Sequence, residues 1–576
     1  MKAESASAPS SYVPDSYGRN LYEVDPQFDA LLRLYLPGDL FGHLRPHLVR
    51  LGRLAGSTLD ELAGTADRNP PALRHRTRNG ADRQSLVKHP AYQELERFAY
   101  SEYGLAALSH RGGVLGWPDP MPPAAKYALT FLFVQAEFGL CCPVSMTDSL
   151  ARTLRKFGSP ALVARYLPAL TSQDMDTLAQ GAMFMTEHGA GSDVGATATL
   201  ARKAADGTWQ LYGDKWFCSN PDAALAMVLA RPEGSVNGTK GLALFLLPRE
   251  LPDGSPNGYR ILRLKEKLGT RSMASGEIRL EGATAHLVGE LGRGFVQMTD
   301  MINNSRLSNG VRAAGLMRRA LNEALFVANE RSAFGRRLIG LPLMQRQLAK
   351  MMVWTEQART MMFQAAAALG AADRGDATAR QLVRILTPLI KFRACRDARK
   401  VAGDAMEVRG GCGYIEEWAE PRVLRDAHLG SIWEGTSNIV ALDVLRSIRK
   451  GDALAALAAQ WQRQLDEAAL PPARRARFDA LLRGATEFAR EAAAAPEDTF
   501  ARQAASGLYH ATTAAAMAWE SKRTGDARRL LLAQMVLSHR MAARDPLAAD
   551  PEATPLIAAL LAERPLREAE LAAAVR

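Results

Sequence analysis

Cysteine is scarce in this chain: five thiols, Cys141, Cys142, Cys218, Cys395 and Cys412, serve 576 residues, and no two form a CxxC pair. That excludes a disulfide scaffold and a cysteine-based zinc site, and leaves buried free thiols as the expectation. Long apolar runs are missing as well. No stretch reaches the roughly 18 to 20 apolar residues of a membrane span, and the opening MKAESASAPSSYVPDSYG holds no apolar core of a secretory signal. A soluble, cytoplasmic protein is expected, long enough for about three or four units. An excess of charge of either sign is absent from the end of the chain. From Gly451 onward 16 Lys+Arg face 16 Asp+Glu, so the net +11 lies wholly in residues 1–450. A basic excess serves nucleic acid, acidic membranes or phosphate-bearing cofactors alike, and chooses no partner by itself. Clusters such as Arg74 to Arg78, Lys265 to Arg271 and Arg336-Arg337 read first as solvated faces.

What is present changes period along the chain. Residues 1–25 are Ser/Pro-rich and are expected to be flexible; 26–180 read as helices punctuated by GWPDPMPP (Gly116 to Pro123). Within 181–290, the runs TWQLYG, ALAMVLA, GLALFLLP and GEIRLEG are separated by Gly, Pro, Asn and Asp turns, which predicts a small antiparallel sheet or barrel. Three-and-four spacing returns in 291–450, where long helices predict a bundle. Residues 451–576 are Ala-rich shorter helices broken at Pro471-Pro472, Pro496, Pro546, Pro551 and Pro555, with no acid/base cluster; they read as a packing or assembly module.

Three stretches could carry chemistry. MTEHGAGSDV (Met185 to Val194) is a Gly-rich turn whose amides, with Thr186 and Ser192, could hold a pyrophosphate or a flavin edge, although such turns are more often only turns. In DKWFCSN (Asp214 to Asn220), strand alternation predicts Trp216 and Cys218 on one face and Phe217 and Ser219 on the other, where they could flank a flavin; filling a barrel core is the plainer alternative. In SIWEGTSNIV (Ser431 to Val440), Glu434 stands between Trp433 and Gly435, ahead of a helix for which Thr436 and Ser437 are natural caps. A carboxylate desolvated there has its pKa raised towards the operating pH, as a general base requires; an acid favoured by the helix dipole is the structural alternative.

These motifs, with ERSAFGRRL (Glu330 to Leu338) and MEVRGGCGY (Met406 to Tyr414), resemble the acyl-CoA dehydrogenase family in order and spacing over residues of about 90 to 450. The resemblance implies a mainly α fold: an N-terminal helical domain, a middle β-barrel and a C-terminal four-helix bundle, here followed by an extra helical domain. NPPALRHRTR, KEKLGTRSMAS and the additional C-terminal helices resemble the AidB-type subgroup of the adaptive alkylation response more closely, whose members are associated with DNA.

Carried over by position, the resemblance makes Glu434 the base for the α-proton of an acyl-CoA while hydride leaves the β-carbon for FAD. Met185, Thr186, Ser192, Phe217, Cys218, Ser219, Ile432, Trp433, Gly435, Thr436, Ser437 and Asn438 would surround the cofactor, and Arg306 would lie near the substrate. Arg331 and Phe334 would reach FAD across a subunit boundary, implying a homotetramer, with an electron-transferring flavoprotein or another acceptor as partner. Some relatives place the base just before Arg306; here that residue is Ser305, so Glu434 has no competitor. Pro342 and Glu407 replace glutamines usual in the family, and Trp433 narrows the acyl channel, which favours a small branched acyl group or slow turnover.

Overall fold

The computed structural model describes residues 13–543, 545, 547 and 553–574; residues 1–12, Pro546 and Pro551 lie outside them. Seven helices open the chain: α1 (Pro26–Tyr35), α2 (Gly38–Ala55), α3 (Thr58–Arg68), α4 (Pro90–Glu96), α5 (Pro123–Phe133), α6 (Cys141–Phe157) and α7 (Pro160–Leu170). Proline starts α1, α4, α5 and α7, where its fixed φ suits the first turn and its missing N–H costs nothing. At α7 the Ser159 hydroxyl also accepts from Leu162 N at 3.3 Å. A short antiparallel hairpin, β1 (Ala72–Arg74) with β2 (Ser85–Val87), interrupts these helices and had no counterpart in the sequence reading.

The barrel strands are β3 (Gly181–Phe184), β4 (Leu200–Lys203), β5 (Trp209–Ser219), β6 (Leu225–Pro232), β7 (Ala243–Pro248), β8 (Tyr259–Leu264) and β9 (Ser275–Val288). The pairings β6–β4–β5–β9–β7–β6 return to their start, closing five strands into a ring, with β3 added beside β6 and β8 beside β9. An all-antiparallel sheet was expected, but β6 pairs in parallel with both β3 and β4. Such parallel pairings join strands distant in sequence, which alternation within each strand does not reveal. The barrel interior is a separate core built on Phe184, Leu211, Val228, Phe245, Ile278 and their neighbours.

After the barrel, α8 (Gly294–Glu330), the small hairpin β10 (Ser332–Ala333) with β11 (Arg336–Arg337), α9 (Pro342–Asp373) and α10 (Ala377–Arg409) follow. The three long helices pack on one another, and α11 (Ala419–Leu429) and α12 (Ser437–Arg449) lie against α10. The helices α13 (Ala453–Ala468), α14 (Pro472–Ala494), α15 (Ala501–Thr524), α16 (Ala527–Val536), α17 (Ala553–Leu561) and α18 (Glu568–Ala574) complete the chain. Of these, α15 touches α1, α9, α10 and α12, so the last helices share the main core rather than forming a detached lobe. No helix among the described residues is long and apolar enough to cross a membrane.

Candidate active site

Glu434 sits in the turn between α11 and α12, at φ 56°, followed by Gly435 at φ 97°. Two consecutive left-handed residues reverse the chain within a few bonds; Glu434 carries strain there, and Gly435 is the residue that adopts it readily. A Cβ on Gly435 would also press within 3.3 Å of Arg306 Nη2, so a side chain there would have to push that guanidinium aside. Cations from two long helices pin this turn. From α8, Arg306 Nε donates to the Glu434 carbonyl at 2.9 Å and Nη1 to Asp443 Oδ2 at 2.8 Å. From α10, Lys391 Nζ donates to the carbonyls of Gly430 at 2.6 Å and Gly435 at 3.2 Å. The cations thus hold main-chain oxygens and leave the Glu434 carboxyl uncommitted.

That carboxyl keeps Oε2 buried with no hydrogen-bond partner. Burial raises its pKa above the ordinary carboxylate value, outweighing the opposing pull of Arg306, Ser305, Lys391 and Arg312. The Ser305 hydroxyl is near enough to act on the charge but is itself without a partner in hydrogen-bond geometry. Lys391 is shifted the other way, down to about 8, by the same desolvation. Trp433 stacks on Phe138 with ring centroids 6.0 Å apart, and the Arg312 guanidinium lies 4.9 Å from the Trp433 ring.

On the barrel side, Phe217 is 61% exposed, Ser219 is half-buried at the end of β5, and Cys142 on α6 feels both Ser219 and Glu434. The main chain of Thr186 accepts from Trp216 N at 2.8 Å, and Met185 O accepts from Lys215 Nζ at 3.3 Å, so the Gly-rich turn is anchored to β5. Its acid, Glu187, is tied down by Lys215 at 2.7 Å and Thr199 at 2.6 Å, while Ser192 and the open sides of Gly189 and Gly191 face outward.

Two expectations need correction. The alternation read along β5 breaks at a register shift between Lys215 and Cys218 opposite β9. The extra residue turns Lys215 and Cys218 both inward and brings Trp216 and Phe217 into mutual ring contact at 6.1 Å. Cys218 is 1% exposed within the barrel core and faces away from Phe217 and Ser219 as expected, while Trp216, expected on its face, is left outside that core. At α12, Thr436 occupies the N-cap position but makes no side-chain capping bond, so the first amides of the helix stay open beside exposed Ile432, half-buried Ser437 and exposed Asn438.

Arg331 and Phe334 lie apart from this cluster. Arg331 Nη1 donates to Arg409 O at 3.1 Å, and Phe334, 90% exposed at φ 53°, projects from the β10–β11 hairpin.

Comparison with known proteins agrees with this geometry. The acyl-CoA dehydrogenase C-terminal domain profile matches residues 292–449, the middle-domain profile 182–283, and the adaptive response protein AidB N-terminal domain profile 12–177. Acyl-CoA dehydrogenase family member 11 of Caenorhabditis elegans is 33% identical over 437 residues, 74% of this chain and 70% of that protein. The putative acyl-CoA dehydrogenase AidB of Escherichia coli is 34% identical over 415 residues, 70% of this chain and 74% of that protein. The chain belongs to the acyl-CoA dehydrogenase family. The crystal structure of C. elegans ACDH-11 in complex with C11-CoA superposes with a TM-score of 0.81 at 28% identity, over 98% of this chain and 94% of that one.

The cofactor of an acyl-CoA dehydrogenase is FAD, and the residues present fit it. The chain offers what a flavin would need: an exposed aromatic ring at Phe217, uncapped amides at α12, an open Gly-rich turn, and unpartnered polar atoms on Ser305, Trp433 and Glu434. The sequence reading missed Phe138, Cys142, Arg312 and Lys391. A lone Lys inside the apolar run TPLIKF was the available signal for Lys391; Arg312 gave none, because a helical arginine reads as exposed.

Proposed function

We propose that the chain catalyses α,β-dehydrogenation of an acyl-CoA thioester, with Glu434 as the general base. The observation that carries this is the buried, unpartnered Glu434 Oε2 on a carboxyl whose pKa is raised by desolvation. FAD bound here supplies the hydride acceptor for the β-carbon. Glu434 Oε2 takes the α-proton, and its own main-chain amide serves as a donor for the thioester oxygen, which acidifies the α-carbon. Arg306 and Lys391 hold the turn so that the carboxyl keeps its aim, and the Phe138–Trp433 stack keeps water from its inner side. Met185, Thr186, Ser192, Phe217, Ser219 and the Gly435 to Asn438 segment hold the cofactor. The outward Phe334 and Arg331 complete the site of a neighbouring copy in a homotetramer, a reading supported by a phenyl ring left 90% exposed.

Anaerobic mixing of the yellow holoenzyme with short, branched and long acyl-CoAs, followed at the flavin absorbance, tests the assignment. Bleaching that Glu434→Gln abolishes is expected; bound FAD that no thioester bleaches would remove it.

A second reading, DNA association in an alkylation response, has behind it the AidB N-terminal profile and the basic excess of residues 1–450. The tail adds less than its 16 cations, since Arg528 and Arg529 are buried and Arg475 pairs with Asp466 and Asp479. Affinity for duplex DNA that falls steeply with salt is the outcome this reading requires.

A further inference from the structure

Along α8, Ser305, Asn309 and Arg312 stand at i, i+4 and i+7, so they form one stripe on the helix face that meets the Glu434 turn. All three are buried, at 1%, 0% and 0% exposure. Each keeps a side-chain polar atom without a hydrogen-bond partner among the described residues: Ser305 Oγ, Asn309 Oδ1, and both Nη1 and Nη2 of Arg312. Trp433 Nε1, beside Arg312, is unpartnered too.

Arg312 is the anomaly. Arg318, Arg359, Arg409, Arg528 and Arg529 are also fully buried, and each faces a carboxylate within 4 Å. Arg312 has only a long 3.4 Å bond from Nε to Ser308 O and the rings of Phe138 at 5.4 Å and Trp433 at 4.9 Å. Cation–π contact offsets part of the desolvation of a guanidinium, but it leaves the Nη donors without acceptors. A chain that pairs its other buried arginines has left this one open beside its base.

The stripe also sets a scale. Seven helical residues rise about 10 Å, and the guanidinium returns along its stem to the ring next to Glu434, so the free donors lie only a short acyl chain away from the reacting carbons. The geometry points to Arg312 as a specificity-determining residue: the acyl group processed at Glu434 is short and carries a carboxylate at its far end, received by Nη1 and Nη2 as a bidentate pair. This rests on the dehydrogenase reading above. The distal carboxylate keeps all its atoms; the α-proton still passes to Glu434 and the β-hydride to FAD.

The test pairs thioesters of equal length: succinyl- with butyryl-CoA, glutaryl- with pentanoyl-CoA, adipoyl- with hexanoyl-CoA. Binding to the Glu434→Gln holoenzyme is measured by calorimetry, so that turnover plays no part. At least one carboxylated thioester is expected to bind about tenfold or more tightly than its plain partner, and Arg312→Met in the same background to erase that preference. Arg312→Lys, which keeps the charge but loses the fork, should retain a fraction of it, and decides the matter with the unsubstituted-site preference if Arg312→Met does not fold. Equal or tighter binding of the plain partner at all three lengths, a preference that survives Arg312→Met, or no binding of any thioester overturns the inference. Carboxylate preference without bleaching of the Glu434 enzyme would sink the dehydrogenase reading and leave Arg312 as an anion site; bleaching without the preference would do the reverse.

Discussion

Where α1, α8, α9, α15 and α16 meet, the interior is crowded with opposite charges that face one another. Arg318 and Arg359 share Asp25 at 3.1 and 2.5 Å, Arg359 and Arg529 share Glu356 at 2.5 Å each, and Arg529 also meets Glu520, which accepts from Tyr35 Oη at 2.8 Å. Around Glu434, itself half-buried, Arg312 and Lys391 lie as deep and the pairing differs: the base has no acid-base partner on Oε2, Arg312 has no acid, and Lys391 spends its protons on main-chain oxygens. The same physics, desolvation of charge, sets each ion against an opposite charge in one place, where Asp25 Oδ1, Arg318 Nε and Nη1 and Arg359 Nε still lack hydrogen bonds, and leaves ions without an opposite charge in the other. Evenly matched buried charge marks what holds the last helices to the bundle; mismatched buried charge marks where a ligand completes the set.

The comparison breaks most visibly at its open end. Glu434→Gln keeps size and burial but removes the base, so flavin bleaching by a reactive thioester should slow by about 10²- to 10⁴-fold in stopped-flow. In the unsubstituted protein the rate should rise with pH through an apparent pKa above the ordinary carboxylate value, because burial favours the protonated form that cannot accept the α-proton. A rate flat from pH 4.5 to 8 would mean that another group takes the proton.

At the closed end, Glu356→Gln leaves Arg359 and Arg529 short of charge in a site that is fully buried, and should destabilise the fold by about 3–5 kcal/mol in denaturant titration. The sign in pH follows from the direction of the shift. Arg359 and Arg529 overcome burial and hold the Glu356 pKa below its ordinary 4.5. Its contribution is therefore complete above 4.5 and is lost as pH falls through the lower folded value. Acid should loosen the attachment of the C-terminal helices before the barrel, read by hydrogen exchange in α15 and α16 against β9.

How much of this was legible beforehand follows from the same contrast. Alternation and turn residues located β5, β6, β7 and β9 but not the shorter β3, β4 and β8, and three-and-four spacing located α8 to α10, because those patterns are local. Glu434, Gly435 and the Thr436 to Asn438 segment were legible as one run of sequence. The parallel pairing of β6, the bulge that parts Trp216 from Cys218, and the arrival of Cys142, Arg312 and Lys391 from α6, α8 and α10 depend on contacts between distant segments. Charged residues were hardest of all to place: a pattern that assumes Arg and Lys outside cannot anticipate six fully buried arginines.

Asp426 offers a smaller effect of opposite sign. It accepts from Thr270 N at 2.6 Å, yet burial and Glu137 push its pKa up to about 7. A raised carboxylate stabilises while protonated and loses that contribution as pH rises from about 4 through 7. Asp426→Asn keeps an acceptor for Thr270 and cannot ionise, so its gain should grow with pH, from little at pH 4 to about 3–4 kcal/mol at pH 8. An equal loss at both pH values would show that the carboxyl is held ionised, as Glu356 is.

The smallest effect isolates burial itself. Glu94–Arg97 and Glu356–Arg359 are both acid–arginine pairs at i, i+3, with contacts of 2.6 and 2.5 Å. The first pair has side chains 41% and 46% exposed, and the second has none of its side-chain surface exposed. A double-mutant cycle to Gln at the exposed pair should give a coupling of about 0.2–0.5 kcal/mol that fades in 1 M salt, since both ions remain hydrated and screened when apart. The buried pair should give a larger coupling that salt barely changes, because removing either partner strands the other away from water. If the two cycles returned the same value, matched charge could no longer be read as structure, and the unmatched charge around Glu434 would lose the contrast that makes it informative.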